Sequence, residues 1–205
     1  MVRIGDFFGL RQFLIFTIMQ AIPTLNTERL ILKGVSMEDV PSYTRYFVDY
    51  DVVRYLSAEV PWPYPENGVK DYLEHIVLPQ QGNGHWVWGI FLKEQPDQLI
   101  GTIDLRREGK PEHRGFWLGK PFWGRGIMTE ANFPVIDLAF AELGFDSLLF
   151  ANALGNIGSR RIKEKTGAQL IGRRETKFVD PLFTESEIWE LSRESWLKFK
   201  GSSFL

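Results

Sequence analysis

Two glycines, Gly124 and Gly126, stand where an extended pattern gives way to a helical one, and no other stretch restricts the fold as much. Ahead of them, His113-Arg114-Gly115-Phe116-Trp117-Leu118 reads as a strand. Behind them, Ile127, Ala131, Val135, Leu138, Ala139 and Leu143 recur near helical spacing, so a helix is expected over 127–143. The linking Pro121-Phe122-Trp123-Gly124-Arg125-Gly126 must turn the chain from strand to helix. The first N–H groups of such a helix have no carbonyl one turn back and lie at the positive end of its dipole, so the junction suits an anion such as a phosphate. Gly124 and Gly126 let the backbone come close to that anion, and Arg125 adds a charge. Thr129 occupies the third glycine place of Gly-x-Gly-x-x-Gly and no Gly-Lys-Ser/Thr follows, which excludes the dinucleotide fingerprint and the P-loop.

The same order of elements returns downstream. Leu148-Leu149-Phe150-Ala151 is a strand-like run, and Asn156-Ile157-Gly158-Ser159-Arg160-Arg161-Ile162-Lys163-Glu164-Lys165-Thr166-Gly167-Ala168 follows it. Asn156 and Ser159 suit the cap and first turn of a short helix, and Gly167 its end. The pairing of this stretch with Phe122-Trp123-Gly124-Arg125-Gly126-Ile127-Met128-Thr129-Glu130-Ala131 resembles the GNAT N-acetyltransferases, specifically the RimJ/RimL-like branch. Thr24-Leu25-Asn26-Thr27-Glu28-Arg29-Leu30-Ile31-Leu32 is similar to that branch's opening strand, so the resemblance runs over residues 23–196.

The resemblance implies an α+β fold layered α/β/α: a mixed, mostly antiparallel sheet of about six to seven strands, flanked by about four helices, with one pair of strands splayed to admit a cofactor. It implies acetyl-coenzyme A (acetyl-CoA) as cosubstrate, its pyrophosphate on the backbone amides of Trp123, Gly124, Arg125, Gly126, Ile127, Met128 and Thr129. It further implies an amine acceptor: a protein or peptide N-terminus, with a small amine such as a polyamine, amino acid or antibiotic as the alternative. A non-catalytic CoA sensor is the remaining alternative. The superfamily often has Gln or Arg in place of Trp123 and Gly or Ala in place of Met128, and the branch often has Glu in place of His113.

Acyl transfer to an amine needs a neutral nucleophile, donors aimed at the developing oxyanion, and a proton for the thiolate. The resemblance assigns the oxyanion donors to backbone N–H groups near Leu118 and Gly119. Ser159 is then the candidate proton donor or sulfur partner, Asn156 a partner of the pantetheine, and Arg125 and Arg161 partners of the phosphates. His113 is the first candidate base because its ordinary pKa lies near neutrality. Asp104 and Glu187 compete with it, and Glu130 reads as a first-turn acid favoured by the helix dipole. Trp62 and Tyr64, in the Val60-Pro61-Trp62-Pro63-Tyr64-Pro65 loop, are expected to shape the acceptor groove.

The rest of the chain fits one domain. Residues 85–93 and 98–107 read as two strands turning at Glu94-Gln95-Pro96-Asp97, and with 113–118 they form a meander. Residues 168–178 and 183–191 read as two more strands, and Ser36 with Asp39 as a helix start. Expected boundaries are an apolar extension over 1–22, an acetyltransferase domain over 23–197 and a tail over 198–205. The apolar run 7–19 is too short to span a bilayer; it reads as a docked helix, or as an extension upstream of a start at Met19. A net charge of -2 argues against nucleic-acid binding, and the absence of cysteine excludes disulfides and a thiolate nucleophile. With three dispersed histidines no metal site is expected. The composition suits a soluble cytoplasmic protein, with a homodimer left open.

Overall fold

The structure, a computed structural model, describes residues 22–202; the apolar extension up to residue 21 lies outside the described residues. Strands β1 (Leu25–Asn26), β2 (Leu30–Gly34), β3 (His85–Leu92), β4 (Gln95–Arg106) and β5 (Arg114–Leu118) form a five-stranded antiparallel sheet in sequence order. Strands β6 (Ser147–Ala153), β7 (Gln169–Glu175) and β8 (Glu185–Ser192) form a second sheet in the order β6-β8-β7. Helix α1 (Val40–Phe47), the short α2 (Tyr50–Val53) and α3 (Gly68–Tyr72) precede β3. Helix α4 (Ile127–Ala141) joins the sheets, α5 (Ile157–Lys165) follows β6, and α6 (Arg193–Ser202) runs through most of the stretch expected as a tail.

Layering follows from alternation along the strands. Trp86, Trp88, Ile90, Ile103 and Leu105 point to the α4 side, whereas Val87, Phe91, Leu99 and Trp117 point to the side of α1 and α3. A strand buried on both faces needs apolar side chains at every position, which is why β3 reads Trp86-Val87-Trp88 with hardly a polar break. Each of these large side chains contributes roughly 1.5–3 kcal/mol by leaving water. Pro134 sits inside α4 without ending it. The hairpin turn expected at residues 94–97 is tighter than the proline suggested: it lies at Lys93 and Glu94, with Leu92 paired to Gln95, and Pro96 falls in the exposed start of β4.

Among the described residues, the backbones of the two sheets are hydrogen-bonded to each other at one place. His113 N–H donates to the Leu149 carbonyl at 2.9 Å, and the Leu149 N–H donates to His113 Nδ1 at 2.9 Å. Beyond that clasp β5 pairs only with β4 and β6 only with β8, so the strands part and a cleft opens between them. This is the splayed pair that the family resemblance implied.

Candidate active site

The cleft between β5 and β6 has a volume of about 650 Å³ and runs from Phe116, Trp117 and Leu118 to the first turn of α4 and the start of α5. At its outer end Gly124 and Gly126 hold φ of 73° and 74°, left-handed values that a side chain would strain, and Gly126 is the N-cap of α4. The amides that open α4 lack carbonyls one turn back, and Gly126, Ile127, Met128 and Thr129 line this cleft. Trp123 Nε1 donates to the Leu118 carbonyl at 2.7 Å and fixes the indole at the turn. Arg161 lines the cleft; the side chain of Arg125 does not, and its carbonyl is held by Arg29 Nη1 at 3.0 Å. Of the two arginines expected as phosphate partners, Arg161 thus lines the cleft and the side chain of Arg125 does not.

Strand parity settles which backbone groups face the cleft. Gly119 N–H donates to the Ile100 carbonyl at 2.9 Å and Arg106 N–H to the His113 carbonyl at 2.8 Å, so alternate residues of β5 bond to β4. The N–H groups of Phe116 and Leu118 therefore point away from β4, toward the opening. Of the two amides expected near the strand end, that of Leu118 faces the opening, whereas that of Gly119 belongs to the sheet; the Phe116 amide also faces the opening.

At the start of α5, Asn156 Oδ1 accepts from the Ser159 N–H at 3.0 Å, the cap that its position predicted. Ser159 Oγ accepts from Lys163 Nζ at 2.8 Å, and Lys163 is 1% exposed. Burial first, then the charge of Arg114, pull the Lys163 pKa well down, against a smaller opposing effect of Glu187. Arg114 is buried as well: its guanidinium lies 3.8 Å from the Phe150 ring centroid, Nη1 donates to Asn132, and burial lowers its pKa to about 9.

A second, wider cavity of about 1460 Å³ lies on the α1 and α3 side of the first sheet and meets the cleft at Gly115, Phe116, Trp117, Ala151 and Asn152. Asp104 stands on its floor and accepts from His85 Nε2 at 3.3 Å and from Arg106 Nε at 2.9 Å. Burial alone would raise the Asp104 pKa, but the Arg106 charge and the His85 bond outweigh it and hold the carboxyl below its usual range. Tyr72 faces the same charge and, through burial and Asp104, has its pKa pushed up to about 12. Tyr64 lines the cavity, edge-on to Phe47 at 5.2 Å, whereas Trp62 lies outside its lining and packs on Tyr50 at 5.4 Å. The loop over 107–112 is tied to both walls, by Lys110 to Glu59 at 2.5 Å and by Arg174 to Glu112.

Two expected bases stand elsewhere. His113 forms the clasp between the sheets, edge-on to Phe145 at 5.5 Å, and lines neither cavity; burial lowers its pKa. Glu187, 1% exposed, receives Asn152 Nδ2 at 3.0 Å and Arg160 Nη1 at 3.1 Å behind β6. Glu130 accepts from Thr27 Oγ1 at 2.5 Å and from the Arg29 N–H at 2.9 Å, so it anchors β2 to α4. Four buried polar atoms without partners, Arg114 Nε and Nη2, Trp117 Nε1 and Asn152 Oδ1, belong to residues where the two cavities meet. His85, Arg114, Asn152 and Lys163 carry no motif; Lys163 was visible only as a charge on the helical face that Ile162 and Ser159 share with the core.

Residues 29–169 match the family described as Acetyltransferase (GNAT) domain, and the chain belongs to that family. It is therefore an acyltransferase with acetyl-CoA as the family's cosubstrate. An uncharacterised N-acetyltransferase of Bacillus licheniformis, p20, is 29% identical over 130 residues, 61% of this chain and 70% of that protein. The ribosomal-protein-S5-alanine acetyltransferase of Vibrio fischeri superposes with a TM-score of 0.71 at 17% identity, over 85% of this chain and 98% of its own. RimJ of Mycobacterium smegmatis, solved in complex with CoA-disulfide, superposes with a TM-score of 0.69 at 14% identity, over 85% and 89%. At those identities the two structures show the shared fold. Among the described residues no helix is long and apolar enough to cross a membrane, and no group of metal-ligating side chains occurs.

Proposed function

We propose that the protein transfers the acetyl group of acetyl-CoA directly to the α-amine of a protein or peptide N-terminus while both substrates are bound. The observation that carries this reading is the meeting of a donor-sized cleft with a wide acceptor groove beside an ionised, buried carboxylate, Asp104. The amides of residues 124–129 and Arg161 hold the pyrophosphate, and the pantetheine runs along the inward N–H groups of Leu118 and Phe116. The Phe116 N–H meets the thioester oxygen as charge develops there. Asp104 attracts the acceptor ammonium and, with His85, takes the proton that frees the amine for attack. The absence of cysteine and the contact between the cavities favour direct transfer over a covalent relay. A groove of about 1460 Å³, open and walled by Tyr64, Tyr72 and Trp117, has room for several residues of an extended chain. The name of the Vibrio fischeri neighbour adds support for a protein acceptor.

The test is incubation with acetyl-CoA and an equimolar library of short peptides, polyamines and amino acids, with products read by mass spectrometry. Acetylation of peptide α-amines, abolished by prior N-terminal blocking, is expected. Turnover confined to polyamines or free amino acids would transfer the reading to a small-molecule acceptor, and thiol release without any acetylated product would remove it.

A further inference from the structure

Lys163 is a lysine where the packing asks for an apolar residue. It sits on the inner face of α5, lines the donor cleft, and approaches the Phe116 ring to 5.7 Å. Its nearest acceptor is Ser159 Oγ, at 2.8 Å. Because a lysine nitrogen donates in that bond, it occupies a lone pair of the hydroxyl and leaves the Ser159 proton to be aimed elsewhere. The Asn156 cap fixes the Ser159 backbone, so the hydroxyl is held at the cleft wall. The charges that face Lys163 come from other elements: Arg114 on β5, and Glu187 on β8, which already binds Arg160 and Asn152. A buried ammonium beside a buried guanidinium lacks an anion of its own, and a thiolate in the cleft would be one.

We infer that Ser159 and Lys163 form a proton relay to the departing sulfur of CoA. The step rests on the donor reading above. As the C–S bond breaks, its electron pair stays on sulfur; the sulfur takes the Ser159 hydroxyl proton, and Ser159 Oγ takes a proton from the Lys163 ammonium. The neutral amine left behind regains a proton from solvent; the acceptor nitrogen gives up two protons, one before attack and one from the tetrahedral intermediate, so over the cycle the thiol gains one and one is released. Burial and Arg114 lower the Lys163 pKa, so its ammonium gives up a proton more readily than that of an exposed lysine. Lys163 acts through Ser159; Ser159 alone touches the sulfur.

The relay is read without an acceptor, from the far-ultraviolet thiolate absorbance of bound CoA as pH rises. A free thiol ionises near about 8.5, and on the wild-type protein the bound thiol is expected about one unit lower, a tenfold shift. Lys163→Met fills the same wall with an apolar chain and keeps the fold, and it should return the bound thiol to the free value or above. Ser159→Ala should do the same. Calorimetry on CoA runs alongside. If all three proteins bind CoA and titrate alike, the relay is overturned while the donor reading stands; if the wild type binds no CoA, both fall.

Discussion

A methyl group on Gly115 would stand 2.5 Å from Asp104 Oδ1 and 2.6 Å from Arg106 Nη2, closer than packed atoms tolerate. The glycine is therefore needed for space, so that a carboxylate and its guanidinium can lie flat across β5 where the two cavities meet. Gly115→Ala should push the pair off that floor and lower kcat/KM for the amine acceptor while CoA binding is kept. Asp104→Asn removes the charge with little change of shape, and a fall of about 100-fold or more in kcat/KM is expected, with CoA affinity within a factor of about two. An equal loss of CoA affinity in Asp104→Asn would place the carboxylate in the donor site instead. Asp104 could be named from sequence as an acid on a strand. His85 could not, because the pairing of His85 with Arg106, which brings the imidazole beside Asp104, depends on a register no local pattern encodes.

At the scale of elements, the two helix mouths differ in what holds them. The mouth of α4 rests on two left-handed glycines, and φ of 73° and 74° is the kind of backbone demand that sequence shows openly. That of α5 rests on one side-chain cap, Asn156 to the Ser159 amide. Asn156→Ala should therefore loosen the cleft wall and raise the Michaelis constant for acetyl-CoA several-fold, beyond the effect of Glu130→Gln, whose loss falls on the anchor to Thr27 and Arg29. Equal effects on that constant would count against this division. The elements themselves were legible because apolar spacing records which face is buried. Parity within β5 was not: it takes the bonds of Gly119 to Ile100 and of Arg106 to His113 to reveal that Phe116, and not Gly119, offers its amide inward. Nor was the setting of Arg125 legible: its side chain is absent from the cleft lining, and its carbonyl is held by Arg29, a contact between residues distant in sequence that no local pattern encodes.

For the molecule as a whole, the clasp of His113 on Leu149 holds two sheets that otherwise diverge. Nδ1 accepts the Leu149 N–H only while it is unprotonated, and burial lowers its pKa from 6.5. The stabilisation is thus complete above about pH 6.5 and lost as pH falls from there through the lower folded-state value. Wild-type Tm should exceed that of His113→Leu at about pH 8 and converge toward it at about pH 5; a gap independent of pH would show that the ring matters for its bulk alone. Immediately before that clasp, the strip of chain over 107–112 lines the acceptor groove and is fastened by two pairs near the surface, Lys110 with Glu59 and Arg174 with Glu112. Such fastenings are worth only about 0–1 kcal/mol each and weaken as counterions accumulate. Adding salt should then admit bulky acceptors more readily, so that turnover of long peptides rises relative to that of a dipeptide. Enzyme speed toward large partners would follow the ionic strength of the medium, with no separate regulator required.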